Sequence, residues 1–325
     1  MNEQLQKSVT KIDYRKYPVA IVGCGKFGKI HLKELLALGA DVRYICNRTN
    51  ARFDELTWIT KNRGIYFTTD YDYVLNDSSV SIVVIATGPH EHYELVKKAL
   101  NAGKHVVCEK PFVFEVEQCN ELYTLAKEKS LNLFVHYSDV FTEWNLPYLN
   151  EIRQRIANQE KINITYKNYG NGPLRENYSS VWDYGTHAAA FACFYNFPAF
   201  HKRTDYTKID DARANFVSYF ESPNRNTSLT CEFGNGFPDR QRVITMSVPS
   251  DIIPKCKDPL KIGITLFKDL KDSKSIPYLY SCLFHDIENN SEFINYNNLY
   301  HNLSLSITTF CIFIEKGTKL KSNAN

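Results

Sequence analysis

Between Tyr17 and His136 the chain alternates short β-branched runs with helix-length amphipathic segments, and that alternation leaves few architectures open. The runs "VAIVG" (19–23), "VRYICN" (42–47), "SIVVIATG" (81–88), "HVVCEK" (105–110) and "LNLFVH" (131–136) read as strands. The stretches near 27–38, 51–62, 91–102 and 115–129 read as the helices between them. Strands that are apolar along nearly their whole length must be covered on both faces, the condition of a parallel sheet with helices on each side. A doubly wound α/β domain is expected.

After about residue 140 the rhythm changes to one helix near 144–157, a strand-like "INITYKNYG", a Gly/Pro/Asn loop and a helix that starts near Val181. Beyond Asp205 come alternating stretches, "ARANFVSYFES", "SLTCEF", "RVITMSV" and "KIGITLF", broken by Pro, Asn and Asp. Alternation of this kind fits an antiparallel sheet with one face in water. At 325 residues and 43% hydrophobic composition the chain exceeds one ordinary domain. The expected division is a first domain over 1–137 and an α+β domain with a largely antiparallel open sheet over 138–325.

Composition narrows the partners. Net charge is +3, from 39 basic and 36 acidic residues, and no dense Lys/Arg block stands ready to track a phosphate backbone, so nucleic acid is not expected. Nine cysteines are scattered without a C-x-x-C pair, several inside apolar runs. They read as buried thiols in a reducing cytosol, with neither a disulfide frame nor a metal site expected. The polar N-terminus and the short apolar maximum "VSIVVIA", far below the roughly 18 residues of a membrane span, give the expectation of a cytoplasmic protein without membrane contact.

The first strand runs into "VGCGKFGKIHLKELLALG", which sets Gly23, Gly25 and Gly28 in G-x-G-x-x-G spacing, with Lys26 and Phe27 in the same turn. In that spacing the first glycine permits a tight turn, the second lets backbone approach a pyrophosphate, and the third lets helix pack closely on strand. The helix N-terminus favours the negative charge. The domain is thus expected to be a Rossmann fold that binds a dinucleotide. At the tip of the second strand stands Asn47-Arg48-Thr49, without an acidic residue to bond a free ribose and repel a 2'-phosphate. Asn47, Arg48 and Thr49 suit a phosphate, so NADP(H) is slightly favoured over NAD(H), although Asn also holds a free ribose.

"VVIATGPHEHYELVKKAL" followed by "NAGKHVVCEKPF" resembles the glucose-fructose oxidoreductase, inositol dehydrogenase and rhizopine catabolism family, Gfo/Idh/MocA. In that family a strand ends in Thr-Pro-Asn-x-x-His beside the nicotinamide and the next strand ends in Glu-Lys-Pro. Thr87, His92, Glu109, Lys110 and Pro111 match, whereas Gly88 and Pro89 replace the usual Pro-Asn. The family's second-domain signature, Asp-x-x-x-His at a helix start, is met by Asp183 and His187. The resemblance implies an NAD(P)-dependent dehydrogenase or reductase acting on a sugar, sugar derivative or nucleotide sugar, and a homodimer or homotetramer assembled through the open sheet. It also implies two alternatives: an imine or tetrapyrrole reductase, and a non-catalytic dinucleotide-binding sensor. Relatives usually continue with another helix after "ITTFCIFIEKG", which keeps an altered cleft or oligomer in view.

The chemistry suits the residues. Oxidation of an alcohol needs an acceptor for the hydroxyl proton as hydride leaves carbon, and reduction needs a donor. His187 is the residue type that exchanges a proton near neutral pH. Lys110 suits the oxygen on which charge develops, and Asp183 suits the support of imidazole and substrate. These three are the expected catalytic set. Thr87, His92, Glu109 and Lys110 join the expected cofactor contacts, with His92 equally open to a structural role. His136, Arg175 and Trp182 join Lys110, Asp183 and His187 as expected substrate contacts.

Overall fold

The computed structural model describes residues 12–61, 63–138, 154, 156–158, 160–171, 178–194, 201–210, 213–222, 224–247, 263–264, 275–288 and 296–318. Two compact units emerge: Met1–His136 with Ser275–Leu305, and Tyr137–Lys274 with Ser306–Asn325.

The first unit is a six-stranded parallel sheet: β1 (Val19–Val22), β2 (Val42–Cys46), β3 (Tyr66–Thr68), β4 (Ile82–Ile85), β5 (His105–Glu109) and β6 (Leu133–His136). Their order is β3-β2-β1-β4-β5-β6, every neighbour parallel. Helices α1 (Lys26–Ala37), α2 (Phe53–Thr60), α3 (Tyr71–Asn76), α4 (His92–Asn101) and α5 (Val116–Glu128) lie between the strands in sequence. β1 and β4 are buried along their whole length, as strands covered on both faces must be. The order reverses between β1 and β4, and in open α/β sheets ligands settle at the carboxyl ends of strands flanking such a reversal. β3 and α3 escaped the sequence reading because a three-residue edge strand and a six-residue helix are too short for periodicity to register.

The first unit also regains a segment that the sequence reading gave to the second domain. Helix α7 (Ser275–Glu288) buries Ile276, Leu279, Tyr280, Leu283 and Phe284, a stripe at i, i+3, i+4, i+7 and i+8. Its Tyr280 hydroxyl lies 2.8 Å from His31 Nδ1 of α1, and its Ser275 hydroxyl lies 3.2 Å from His136 Nε2 of β6. Each buried aromatic or aliphatic side chain of that stripe contributes about 1.5–3 kcal/mol, enough to draw a distant segment back to this unit.

The second unit holds a mixed sheet of β7 (Ile162–Tyr169), β8 (His201–Lys208), β9 (Ala214–Glu221), β10 (Thr227–Gly234), β11 (Gln241–Ser247) and β12 (Gly263–Ile264). Its order is β12-β11-β7-β10-β9-β8, antiparallel except for the β7–β10 pair. Burial alternates along β7, β9 and β10, so one face is covered. Helix α6 (Thr186–Phe194) lies on that face, Phe191 stacking on Tyr166 at 4.6 Å between ring centres. Helix α8 (Tyr296–Thr318) gives its residues through Leu305 to the first unit and the remainder to the second.

The eight cysteines among the described residues carry thiols rather than disulfides, seven of them buried. Burial pushes the Cys24 thiol up to about 12 and that of Cys46 to about 11, so neither is a ready nucleophile. No helix among the described residues is long and apolar enough to cross a membrane. The helix expected near 144–157 lies mostly outside the described residues.

Candidate functional site

The carboxyl edge of the parallel sheet carries the glycine turn. Gly23 sits at φ +86°, a backbone conformation that side chains rarely adopt, and a Cβ there would stand 2.6 Å from Thr87 Cγ2. A Cβ on Gly28 would collide with the carbonyl oxygen of Gly23, so α1 can approach its strand this closely only with hydrogen at that position. Gly25 precedes Lys26 and Phe27 at the start of α1, which has no side-chain cap and no acidic residue in its first turn. The helix therefore presents donors and a positive dipole end without a competing anion. Space beside Gly25 is open except for the Arg52 guanidinium, whose Nη1 lies 3.9 Å from where a Cβ would be. These features fit a dinucleotide pyrophosphate.

Asn47 turns inward. Its Oδ1 accepts the Cys24 N–H at 2.6 Å, and its buried Nδ2 has no hydrogen-bond partner among the described residues. It thus holds the glycine turn and leaves one donor for an acceptor to satisfy. Arg48 is 89% exposed and meets Glu91 at 3.4 Å, while Thr49 precedes the short 3₁₀ turn Asn50–Arg52. Arg52, at the end of that turn, was not among the sequence-derived candidates. It lies five residues beyond the strand tip, and only the turn brings it back over the glycines.

The Glu109-Lys110-Pro111 segment is built from inside. Glu109 is 4% exposed, and its Oε1 lies 2.8 Å from both His31 Nε2 and His136 Nδ1. A consistent proton inventory follows. Both imidazoles donate to the carboxylate, and their other nitrogens accept from the Tyr280 and Ser275 hydroxyls at 2.8 and 3.2 Å. Burial raises the carboxyl, but the two histidines outweigh it and hold Glu109 well below the usual range. These three donors would also suit a metal ion, but distances of 2.8 Å to one shared oxygen are those of hydrogen bonds, shorter than the separation of ligands around an ion. Glu109 and His136, expected to touch cofactor and substrate, therefore face each other in the interior. The other Glu109 oxygen receives the Lys110 N–H at 3.3 Å, so the cluster anchors the backbone of Lys110.

His92 has a similar internal duty. It is fully buried, its Nδ1–H donating to Pro111 O at 2.9 Å with Phe112 O at 3.2 Å, and its Nε2 lies 3.4 Å from Thr87 O. It thus ties the loop after β5 to the loop after β4. Thr87 and half-buried Lys110 lie at the carboxyl ends of those strands, on the same sheet edge as the glycine turn.

In the second unit Asp183 lies in a π-helical turn (Val181–Gly185) that runs into α6, which carries His187. The widened turn lets Thr186 Oγ1 bond back to Trp182 O at 3.1 Å, and such insertions recur at functional sites. Trp182 is 2% exposed, and its Nε1–H donates to Glu315 Oε2 at 3.1 Å, while Ser179 Oγ donates to Glu315 Oε1 at 2.9 Å. Trp182, expected to grip substrate, thus packs inward and fixes the turn. Half-buried His187 receives Arg242 of β11, whose Nη2 is 3.0 Å from His187 Nδ1. Arg242 and Glu315 were missed from sequence because their partners are far along the chain. Arg175 lies outside the described residues.

The buried histidines make stability sensitive to acid. Burial lowers the pKa of His31 and His92, and brings His105 to about 4. A histidine whose folded value lies below its unfolded one loses stability as pH falls from about 6.5 toward the folded value, because the unfolded chain binds the proton better. At pH 5 His105 alone costs about 2 kcal/mol. Asp286, pushed up by burial to about 6, acts the other way and returns about 1 kcal/mol over the same interval. Thermal unfolding at pH 5 is therefore expected at a lower temperature than at pH 7, and an unchanged or higher midpoint would contradict this account.

Comparison with known proteins agrees with the fold of the first unit. Residues 17–137 match the Gfo/Idh/MocA family model, described as an oxidoreductase family with an NAD-binding Rossmann fold. An uncharacterized oxidoreductase of Schizosaccharomyces pombe is 40% identical over 119 residues, 36% of this chain and 32% of that one. An inositol 2-dehydrogenase/D-chiro-inositol 3-dehydrogenase of Lactiplantibacillus plantarum is 34% identical over 34% of this chain and 32% of its own. The matched part thus spans about a third of these relatives. Among solved structures, the UDP-N-acetylglucosamine 3-dehydrogenase of Acidithiobacillus ferrooxidans superposes with a TM-score of 0.69 at 14% identity, covering 94% of this chain and 99% of that one. GenD2 from gentamicin A biosynthesis, solved with NAD, gives 0.71 at 16% identity over 92% and 93%. At such identities these likenesses speak for the fold.

Proposed function

Because residues 17–137 match the Gfo/Idh/MocA oxidoreductase family model, we propose that this chain is an NAD(P)-dependent oxidoreductase acting on a hydroxyl or keto carbon of a sugar, sugar derivative or nucleotide sugar. The observation that carries this reading is the shared sheet edge: the glycine turn after β1, Thr87 after β4 and Lys110 after β5. When bound, the nicotinamide cofactor supplies or accepts the hydride. Gly23, Gly25, Lys26, Phe27 and Gly28 are the proposed pyrophosphate cradle, with Thr87 toward the nicotinamide end. The substrate class follows what relatives act on, an inositol in one and a nucleotide sugar in another.

Lys110, Asp183 and His187 are the proposed catalytic and substrate-binding groups. Lys110 offsets negative charge on the reacting oxygen, Asp183 binds a substrate hydroxyl, and the hydroxyl proton passes through Lys110 or His187. Arg175 remains a proposed substrate contact. Glu109, His92, His136 and Trp182 serve from behind, holding the loops that carry Lys110 and Asp183. We propose NADP(H) as the preferred cofactor, because the β2 tip lacks an acid and both Arg48 and Arg52 stand at this end of the glycine turn.

Calorimetric titration with NADPH and NADH, followed by loss of reduced-cofactor fluorescence on addition of sugar-derived ketones, tests the assignment. Binding of either cofactor with consumption supports it, and no binding of either removes it. Arg48→Ala and Arg52→Ala are each expected to weaken NADPH by about tenfold or more, the worth of a charge-assisted phosphate contact, while changing NADH by less than about threefold. Equal losses for both cofactors would remove the preference for NADP(H).

A further inference from the structure

Arg48 reaches across the glycine turn. Val22, the last residue of β1, pairs with Cys46 of β2 on one side and with Ile85 of β4 on the other, so the tips of β2 and β4 stand about 10 Å apart with the glycine turn between them. Arg48 follows the first tip and Glu91 lies in the loop after the second. Their side chains nevertheless meet, Nη1 of Arg48 lying 3.4 Å from Oε1 of Glu91. The contact therefore spans the carboxyl end of β1, where Gly23 turns the chain toward α1.

The two partners are held unequally. Glu91 closes the short 3₁₀ turn Pro89–Glu91, its N–H donating to Gly88 O at 3.0 Å, and the next residue is the buried His92 that is bonded to Pro111 O. The carboxylate thus hangs from a fixed backbone, while the Arg48 side chain is 89% exposed and free to swing. An exposed pair of this kind adds little to folding, because water screens it and two side chains give up freedom to make it. Its weight falls on whatever else needs the guanidinium. A phosphate on the ribose needs it, and must draw Arg48 from a carboxylate that stays nearby; an unphosphorylated ribose makes no such demand.

We propose that Glu91 is a specificity-determining residue: by holding Arg48 it lowers the affinity for a 2'-phosphorylated dinucleotide and leaves the affinity for an unphosphorylated one unchanged. A charge set against one of two ligands discriminates between them as a contact made to the other does. The proposal rests on the dinucleotide reading of the glycine turn and on Arg48 as the contact for the 2'-phosphate. It makes the preference for NADP(H) narrower than the arginines at this end would otherwise give.

The test is calorimetric titration of the full chain, wild type and Glu91→Gln, with NADPH, NADH, adenosine 2',5'-bisphosphate and 5'-AMP. Glu91→Gln is expected to bind the two 2'-phosphorylated probes about three- to fivefold more tightly than the wild type, the upper end of what an exposed pair is worth, and the other two within about 1.5-fold. The gain should shrink at high salt. It should largely disappear in the Arg48→Ala background and persist in Arg52→Ala. Unchanged binding of the 2'-phosphorylated probes, or equal tightening of all four, would overturn the proposal. So would a gain undiminished in Arg48→Ala, which would mean that the carboxylate repels the phosphate directly. The outcomes separate this proposal from the reading beneath it. If none of the four probes binds either protein, both fall; if the wild type prefers NADH, the preference for NADP(H) falls and the gain in Glu91→Gln still decides the role of Glu91.

Discussion

Lys110→Ala is expected to lower turnover by at least about 10³-fold while leaving cofactor affinity within a few-fold. Removal of a group that stabilises charge on the reacting oxygen costs about 10²–10³, and loss of acid–base assistance about 10²–10⁴. The cofactor should be indifferent, because its proposed cradle is backbone of the glycine turn and the N-terminus of α1. Single-turnover rates with prebound reduced cofactor, compared with its affinity by titration, separate the two effects. Lys110→Arg keeps the charge but not the compact ammonium, and is expected to recover binding more than rate. Near-normal turnover in Lys110→Ala would remove Lys110 from the chemistry.

A second large effect is expected without touching the reaction. Glu109→Ala would leave the donors of His31 Nε2 and His136 Nδ1 buried without their acceptor, in an interior where the carboxylate is 4% exposed. Removal of one partner from such a cluster costs about 3–5 kcal/mol, and the vacated volume adds to it. Differential scanning calorimetry should show the transition of the first unit about 5–15 °C lower. Glu109→Gln keeps the volume and one acceptor oxygen, so a smaller loss is expected. A shift of less than about 2 °C in Glu109→Ala would mean that the carboxylate is replaced by water and that the cluster does not anchor Lys110.

These two residues also show how far reading the chain could go. Glu109 and Lys110 are adjacent at a strand end, and both were expected to line the site. One strand position separates their fates. Glu109 is the last residue of β5 and closes inward on His31 of α1 and His136 of β6, whereas Lys110 lies just past the sheet. Sequence places both at the edge and says nothing about the partners, because His31 lies 78 residues from Glu109 and Tyr280, which meets His31, lies 249 residues from it.

The periodicity of apolar residues determined the parallel sheet of the first unit, and the alternation after Asp205 determined the half-covered second sheet, because both patterns report local geometry and burial at once. The three glycines determined the turn, since no other residue tolerates the φ of Gly23 and the approach at Gly28 together. What only the tertiary structure decided were the pairings across long separations: α7 returning to the first unit, Arg52 folding over the glycines, and Arg242 meeting His187 over 55 residues. A hydrogen bond or ion pair depends on where two side chains end in space, and periodicity carries no record of that.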